Sequence, residues 1–296
     1  MTAITTPVTA TFNDAEEQRL YSALERLYGK AGAQVIRASH VMVIGIGGVG
    51  SWSAEALARS GVGKITLVDL DHLSLSNINR QIHAVQSTLG QSKVIAMRDR
   101  LLSINPTLNI NLIDDFVTPD NWLELVPSDV DAVIDACDQL SAKLAMSVWA
   151  RNQNKIFITV GAAGGKKTAQ AVEVADLSVV SQDPVLAKLR YQLRKHHGAP
   201  KGGANHDKKA AVKIGIYCVF SSEPMLRPNK ACDALDLDVN SAVGVNQGGG
   251  AALNCQGYGS QVVVTATFGL TAAGWVMQML ANKGNNGKTA QKPLNK

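Results

Sequence analysis

Gly45, Gly47, Gly48 and Gly50 spell G-x-G-G-x-G between an apolar run, VMVIGIG, and a helical pattern, SWSAEALARSG. Glycines there let backbone N–H groups come close to a phosphate, and the helix N-terminus behind them adds partial positive charge. Asp69 ends the next apolar run, KITLVD, where an acidic side chain accepts hydrogen bonds from ribose hydroxyls. An NAD-dependent reductase and an ATP enzyme share all of this. The following segment separates them. LSLSNINRQIH carries Asn77, Arg80 and Gln81, and Lys93 follows near the start of a helix. Two cations converging near the glycine turn suit triphosphate chemistry, which uses them to hold the chain and stabilise departing pyrophosphate. Taken singly, Arg80 or Lys93 is a surface cation; the set of four residues points to ATP. Asp135 and Asp138 lie at the end of a further strand. Asp138 is placed to hold Mg2+ on the phosphates, with capping of the helix that starts at Leu140 as the plainer role.

The scaffold for these residues must bring several strand ends to one edge. Apolar strands alternate with helices: VMVIGIG, SWSAEALARSG, KITLVDLD, SKVIAMRDRLLSIN, LNINLIDD, NWLELV, VDAVIDACD, LSAKLAMSVWARNQN and KIFITVG. That order predicts an α/β fold, a Rossmann-like, mostly parallel sheet with helices on both faces. AQAVEVADL reads as one more strand. Residues 15–39 have helical spacing, with Leu20, Leu24, Leu27 and Tyr28 on one face. The expected layout is one domain over 16–282: a nucleotide-binding core at 40–160, a basic and Gly-rich loop region at 161–260, and a C-terminal helix at 261–282. Residues 1–15 and 283–296 read as disordered tails.

At 296 residues, 46% of them hydrophobic, the chain can bury a full core. Its four cysteines, at 137, 218, 232 and 255, form no C-x-x-C pair, which argues against a structural zinc and against a disulfide framework. No signal peptide is visible, so a reducing cytoplasm is expected. Residues 239–282 hold no charge, and part of that stretch is long enough for a membrane span. Its two glycines and four polar residues favour a core helix instead. Lys188, Arg190, Arg194, Lys195, Lys208 and Lys209 belong to a basic stretch suited to an RNA backbone, or to a solvated loop.

GIGGVGSWSAEALARSGVG, VDLDHLSLSNINRQ, GQSKV and IDACD resemble the adenylating domain shared by MoeB, ThiF and ubiquitin-activating enzymes, over about residues 20–160. By that resemblance Asp69 binds ribose, Asn77, Arg80, Gln81 and Lys93 handle phosphates, and Asp138 binds Mg2+. Arg26, in ERLYGKAG, matches a family arginine that reaches a partner subunit's nucleotide, which implies a homodimer. A longer likeness includes RLYG, SGVGKITLVDLDHLSLSNINRQIHA, INPTLNINLIDDFVTPDN, SQDPVLAKLR, YCVFSSE and VVVTATFG. Together these resemble the tRNA threonylcarbamoyladenosine dehydratases over most of residues 19–282. That implies ATP-dependent loss of water from the modified adenosine next to the anticodon, through carboxylate adenylation, giving the cyclic form. A cysteine-desulfurase or sulfur-acceptor system is a further partner in that picture. The alternative is an adenylyltransferase that activates the C-terminus of a ubiquitin-like sulfur carrier; such relatives commonly carry paired zinc cysteines, absent here. Adenylation followed by intramolecular attack requires no side-chain nucleophile. Cys232, in NKACDALD, is the candidate reactive thiol, and the role of residues 244–259 stays open.

Overall fold

A computed structural model describes residues 13–201, 212–226 and 258–285. Short Val- and Ile-rich strands buried on both faces belong in a parallel sheet with helices above and below. Seven strands form that sheet: β1 (His40–Ile44), β2 (Lys64–Val68), β3 (Asn109–Ile113), β4 (Ala132–Asp135), β5 (Ile156–Val160), β6 (Val172–Asp176) and β7 (Tyr217–Ser221). Their spatial order is β3-β2-β1-β4-β5-β7-β6. All neighbours pair in parallel except β6 and β7, which run antiparallel. The chain leaves β1 toward β2 and later returns to β1's other side with β4. This is the reversal of strand order beside which such sheets open a crevice at their carboxyl edge.

The helices are α1 (Asp14–Ala38), α2 (Gly50–Arg59), α3 (Lys93–Ile104), α4 (Trp122–Leu125), α5 (Leu140–Gln153), α6 (Pro184–His196) and α7 (Val262–Asn285). Alternation along β1 divides the core between the two faces. Val41 and Val43 join Leu57, Met97 and Phe268 on the side of α2, α3 and α7. Met42 and Ile44 join Trp122, Met146 and Leu189 on the side of α4, α5 and α6.

The described part of the uncharged stretch near the C-terminus, from Val262 on, is the core helix that its polar residues suggested. Val264, Phe268, Ala272, Val276 and Leu280 recur every fourth residue of α7, and all are buried. Among the described residues it is the one helix long and apolar enough to cross a membrane, yet its buried stripe lies on α1, α2 and the sheet.

Three elements differ from the sequence reading. α1 is bent at Gly29, whose φ is +76°, so one helical face does not run through it. Tyr21, Ala33 and Ile36 are buried, whereas Leu20 and Leu27 are exposed. Within the expected loop region, residues 184–196 form a helix. Asp183 caps it by accepting from the Val185 and Leu186 amides, Pro184 occupies its first turn, and Val185, Leu186, Leu189 and Leu193 are buried beneath its charges. β7, not expected at all, enters the sheet between β5 and the anticipated β6.

Candidate functional site

The carboxyl ends of β1, β2, β4 and β5 open into one cleft. It holds about 1230 Å3 of atom-free space, open solvent at its mouth included, ample for a ligand of nucleotide size. Gly45, Gly47 and Gly48 form its glycine wall. Gly45 has φ +83°, and a Cβ there would fall 2.8 Å from the Ala136 carbonyl oxygen. A Cβ on Gly50 would collide with the Gly45 carbonyl oxygen, so the turn closes only with glycine at both ends. Among the described residues nothing lies within 4 Å of the Cβ that Gly47 lacks. Its bare backbone faces open space, the condition for close approach by a phosphate.

Asp69 holds the turn in place. Its Oδ2 accepts from the Ile46 amide at 2.6 Å and its Oδ1 from the Asp71 amide at 2.9 Å. Lys93, the first residue of α3, places Nζ 2.6 Å from Asp71 Oδ2 and 3.6 Å from Asp69 Oδ1. Burial pushes the Asp69 carboxyl above the usual range, against the pull of Lys93 and of the two amides. Arg80 reaches the same cleft. Its carbonyl accepts from Trp52 Nε1 at 2.9 Å, its Nη1 donates to Ser76 O and Asn79 Oδ1, and its methylenes lie over Gly48. Burial lowers its guanidinium pKa.

Asp138 lines the opposite wall. It does not cap α5: the capping position belongs to Gln139, which makes no side-chain cap bond. Its carboxylate has no protein partner among the described residues. Asp135, by contrast, is fully buried. It binds Lys143 Nζ at 3.1 and 3.2 Å and Thr159 Oγ1 at 2.6 Å. Burial pushes the Lys143 ammonium down, but the charges of Asp135 and Cys137 more than offset this and leave its pKa raised. Cys137 also faces the cleft, with its thiol pushed well up by burial and by Asp135. It is therefore a poor nucleophile.

The structure thus brings together Gly45, Gly47, Gly48, Asp69, Arg80, Lys93 and Asp138. Asn77 and Gln81 are buried behind the cleft rather than on its wall. Asn77 Oδ1 accepts from the Ser74 amide at 3.2 Å, and Gln81 Oε1 is a buried acceptor without a partner among the described residues. Arg26 is exposed on α1 and does not line the cleft of its own chain. Cys232, Lys208, Lys209 and most of the 244–259 segment lie outside the described residues.

A family model for ThiF proteins matches residues 19–295. The chain belongs to the ThiF family. Among its relatives, this ThiF protein is 37% identical to the tRNA threonylcarbamoyladenosine dehydratase of Escherichia coli K12, over 92% of this chain and 96% of that one. The protein of the same name from Bacillus subtilis 168 is 36% identical over 69% and 74% of the two chains. Of solved structures, the E. coli dehydratase TcdA in complex with ATP superposes with a TM-score of 0.77 at 35% identity, covering 94% of this chain and all of that one. The same enzyme with AMP gives the same score.

Sequence reasoning missed two buried lysines at this ThiF site. Lys143 looked like one polar position of an amphipathic helix, and only the neighbouring Asp135 hinted at a partner. Lys166 is 2% exposed, and its Nζ donates to the backbone carbonyls of Gln182, Ser221 and Glu223. It ties the cleft's far wall to the end of β7. Burial lowers its pKa, partly opposed by Asp183 and Glu223. Nothing in the run GGKKT distinguishes Lys166 from Lys167.

Proposed function

We propose that this chain dehydrates N6-threonylcarbamoyladenosine in tRNA at the expense of ATP, through adenylation of the threonyl carboxylate. The observation that carries the reading is the near end-to-end relation to the E. coli dehydratase, combined with a cleft in which Arg80 and Lys93 flank a bare glycine turn. In this reading a threonyl carboxylate oxygen attacks the α-phosphorus of ATP and the bond to pyrophosphate breaks. A carbamoyl nitrogen then attacks the acyl carbon and loses its proton to solvent. The carboxylate oxygen departs on AMP, which accounts for the lost water. The second step is intramolecular, so alignment removes much of its barrier.

The chain's own groups have separable tasks. The Gly47 and Gly48 amides approach the phosphates, Lys93 and Arg80 compensate charge on departing pyrophosphate, and Asp69 both braces the turn and meets the ribose. Asn77 and Gln81 act from behind by shaping the loop that carries Arg80. The donor set fits Mg2+. Among the described residues no three His, Cys, Asp or Glu side chains gather as a metal cage, and Mg2+ is normally held by one or two carboxylates plus phosphate oxygens. Asp138, with a free carboxylate on the cleft wall, is the residue to hold it; when bound, the ion neutralises phosphate charge. Arg26 is read as reaching the nucleotide of a second copy in a cytoplasmic homodimer. Lys188, Arg190, Arg194 and Lys195 on α6, with Lys208 and Lys209 beyond it, are read as RNA-facing. Cys232 and a sulfur-transfer partner belong to the same reading at lower priority.

The test is direct. Purified protein with ATP, Mg2+ and tRNA bearing the modified nucleoside releases AMP and pyrophosphate, and the nucleoside loses the mass of one water. Release that requires a small ubiquitin-like protein instead would replace this reading with the adenylyltransferase one.

A further inference from the structure

A second hollow, with about 910 Å3 of atom-free space including open solvent at its mouth, adjoins the nucleotide cleft, and the two share Met225 and Tyr258 as a common wall. It lies at the start of α6, between residues 180–187 and Pro224. The same carboxylate serves both spaces. Asp183 lines the hollow while its Oδ2 accepts from the amide of Ala162 on the cleft at 2.7 Å. With Val185 and Leu186 also donating to its Oδ1, three backbone amides compensate its charge, which limits repulsion of an anionic ligand.

The remaining lining is polar and has capacity to spare. Gln182 sits at φ +58°, a backbone state uncommon for a residue with a side chain. Residues held that way gather at ligand sites. Its amide and the Ser181 hydroxyl have no protein partners among the described residues. Arg190 spends Nη1 on the carbonyls of Leu177 and Val180. A guanidinium has five N–H donors, so three stay available. Charge of one sign continues outward along α6, where Lys188, Tyr191 and Lys195 are exposed and Lys195 Nζ lies 5.4 Å from the Tyr191 ring centroid.

We propose that this hollow receives the acceptor nucleoside of a single-stranded RNA segment, unstacked from its neighbours. In that arrangement the ring of Tyr258 stacks on the base, Ser181 and Gln182 address its edge, and Arg190 with the α6 lysines holds the flanking phosphates. The assignment rests on the adenylating reading above and adds to it where the acceptor sits. The carboxylate must reach the α-phosphorus, so the threonyl arm passes the Met225 and Tyr258 rim that the two spaces share.

The test uses the full chain and compares three variants with the parent: Ala187→Trp, which fills the exposed side of the hollow, Tyr258→Ala and Tyr258→Phe. Two quantities are read, the KM for modified tRNA at saturating ATP and the Kd for ATP by calorimetry. Ala187→Trp is expected to raise the tRNA KM tenfold or more and to move the ATP Kd less than twofold. Tyr258→Ala raises the tRNA KM about 5- to 100-fold, as loss of one base–aromatic stack does, and Tyr258→Phe recovers at least fivefold of it. An unchanged tRNA KM in both Ala187→Trp and Tyr258→Ala overturns the assignment; so does an ATP Kd that rises in step with KM in Ala187→Trp, whose site lies outside the nucleotide cleft. Should Ala187→Trp not fold, the Tyr258 pair decides alone. A parent protein inert toward modified tRNA sinks the dehydratase reading and this one with it. An active parent with unresponsive variants sinks only the hollow.

Discussion

Replacing Lys93 with alanine separates the lysine's structural role from its chemical one. Its shorter contact, 2.6 Å to Asp71, involves a carboxylate that is 55% exposed, and such pairs contribute about 0.2–1 kcal/mol. Its longer contact, 3.6 Å to Asp69, lies between two groups each less than a tenth exposed. Asp69 nevertheless keeps the Ile46 and Asp71 amides as donors. Its loss of Lys93 therefore costs about 1 kcal/mol, short of the ~3–5 kcal/mol of an orphaned buried charge. Together these give about 1–2 kcal/mol, a fall in Tm of about 2–8 °C. Catalysis suffers more, because a cation aimed at developing charge contributes about 100-fold or more to turnover. The sign of the pH dependence is also fixed. Lys93 holds the Asp69 pKa down against burial, so without it Asp69 protonates at higher pH. The stability deficit of Lys93→Ala is complete above the Asp69 pKa and shrinks as pH falls through it. The assays are pyrophosphate release with modified tRNA, and thermal melts at pH 5 and pH 8. Turnover within threefold of the parent, or a deficit that grows on acidification, would refute the reasoning.

Gly50→Ala and Gly47→Ala should diverge: the first costs about 3 kcal/mol through its clash with Gly45, while the second leaves the melt unchanged and weakens ATP binding about tenfold by crowding the phosphate approach; calorimetry and melts on both decide it. Asp138→Asn, whose parent carboxylate has no protein partner among the described residues, should keep the parental Tm but need more Mg2+ for half-maximal ATP binding, and an unaltered Mg2+ titration would remove Asp138 from the metal site. His83 is 2% exposed with both ring nitrogens unpartnered among the described residues, and burial, Lys93 and Arg100 lower its pKa to about 3. Because the folded chain then binds fewer protons than the unfolded one, stability falls as pH drops from about 6.5 toward 3, by up to ~1.4 kcal/mol per pH unit from this residue. His83→Phe should flatten that slope in denaturant titrations between pH 4 and 6, and an equally steep acid limb would count against it.

The parallel half of the sheet was legible because its inner strands are apolar runs bounded by glycine or an acidic residue, and because helices alternate with them; the edge strand β3, NINLI, alternates polar and apolar residues. The glycine turn, Asp69, Arg80, Lys93 and Asp138 were legible for a related reason: the carboxyl edge of such a sheet collects whatever follows each strand. β7 was not, since its place between β5 and β6 depends on pairing partners 59 and 49 residues earlier, as Thr159↔Cys218 and Val172↔Ser221. α6 had its apolar period at Leu186, Leu189 and Leu193, but the density of cations drew the reading toward a loop. Asn77 and Gln81 were grouped with Arg80 by their place in one polar segment and by the resemblance. They stand three residues before Arg80 and one after it, and of the three only Arg80 lines the cleft.

One contact of α7 has a bearing on when the protein becomes competent. A Cβ on Gly269 would stand 2.8 Å from Trp52 Cβ and against the carbonyl oxygen of Val49, and Ser53 Oγ donates to the Gly269 carbonyl at 2.9 Å. The loop that greets the nucleotide is thus made on the ribosome well before the surface it leans on. Nascent chains carry the motif long before they carry its support, so affinity for ATP should switch on abruptly once α7 has emerged instead of growing as the sheet assembles.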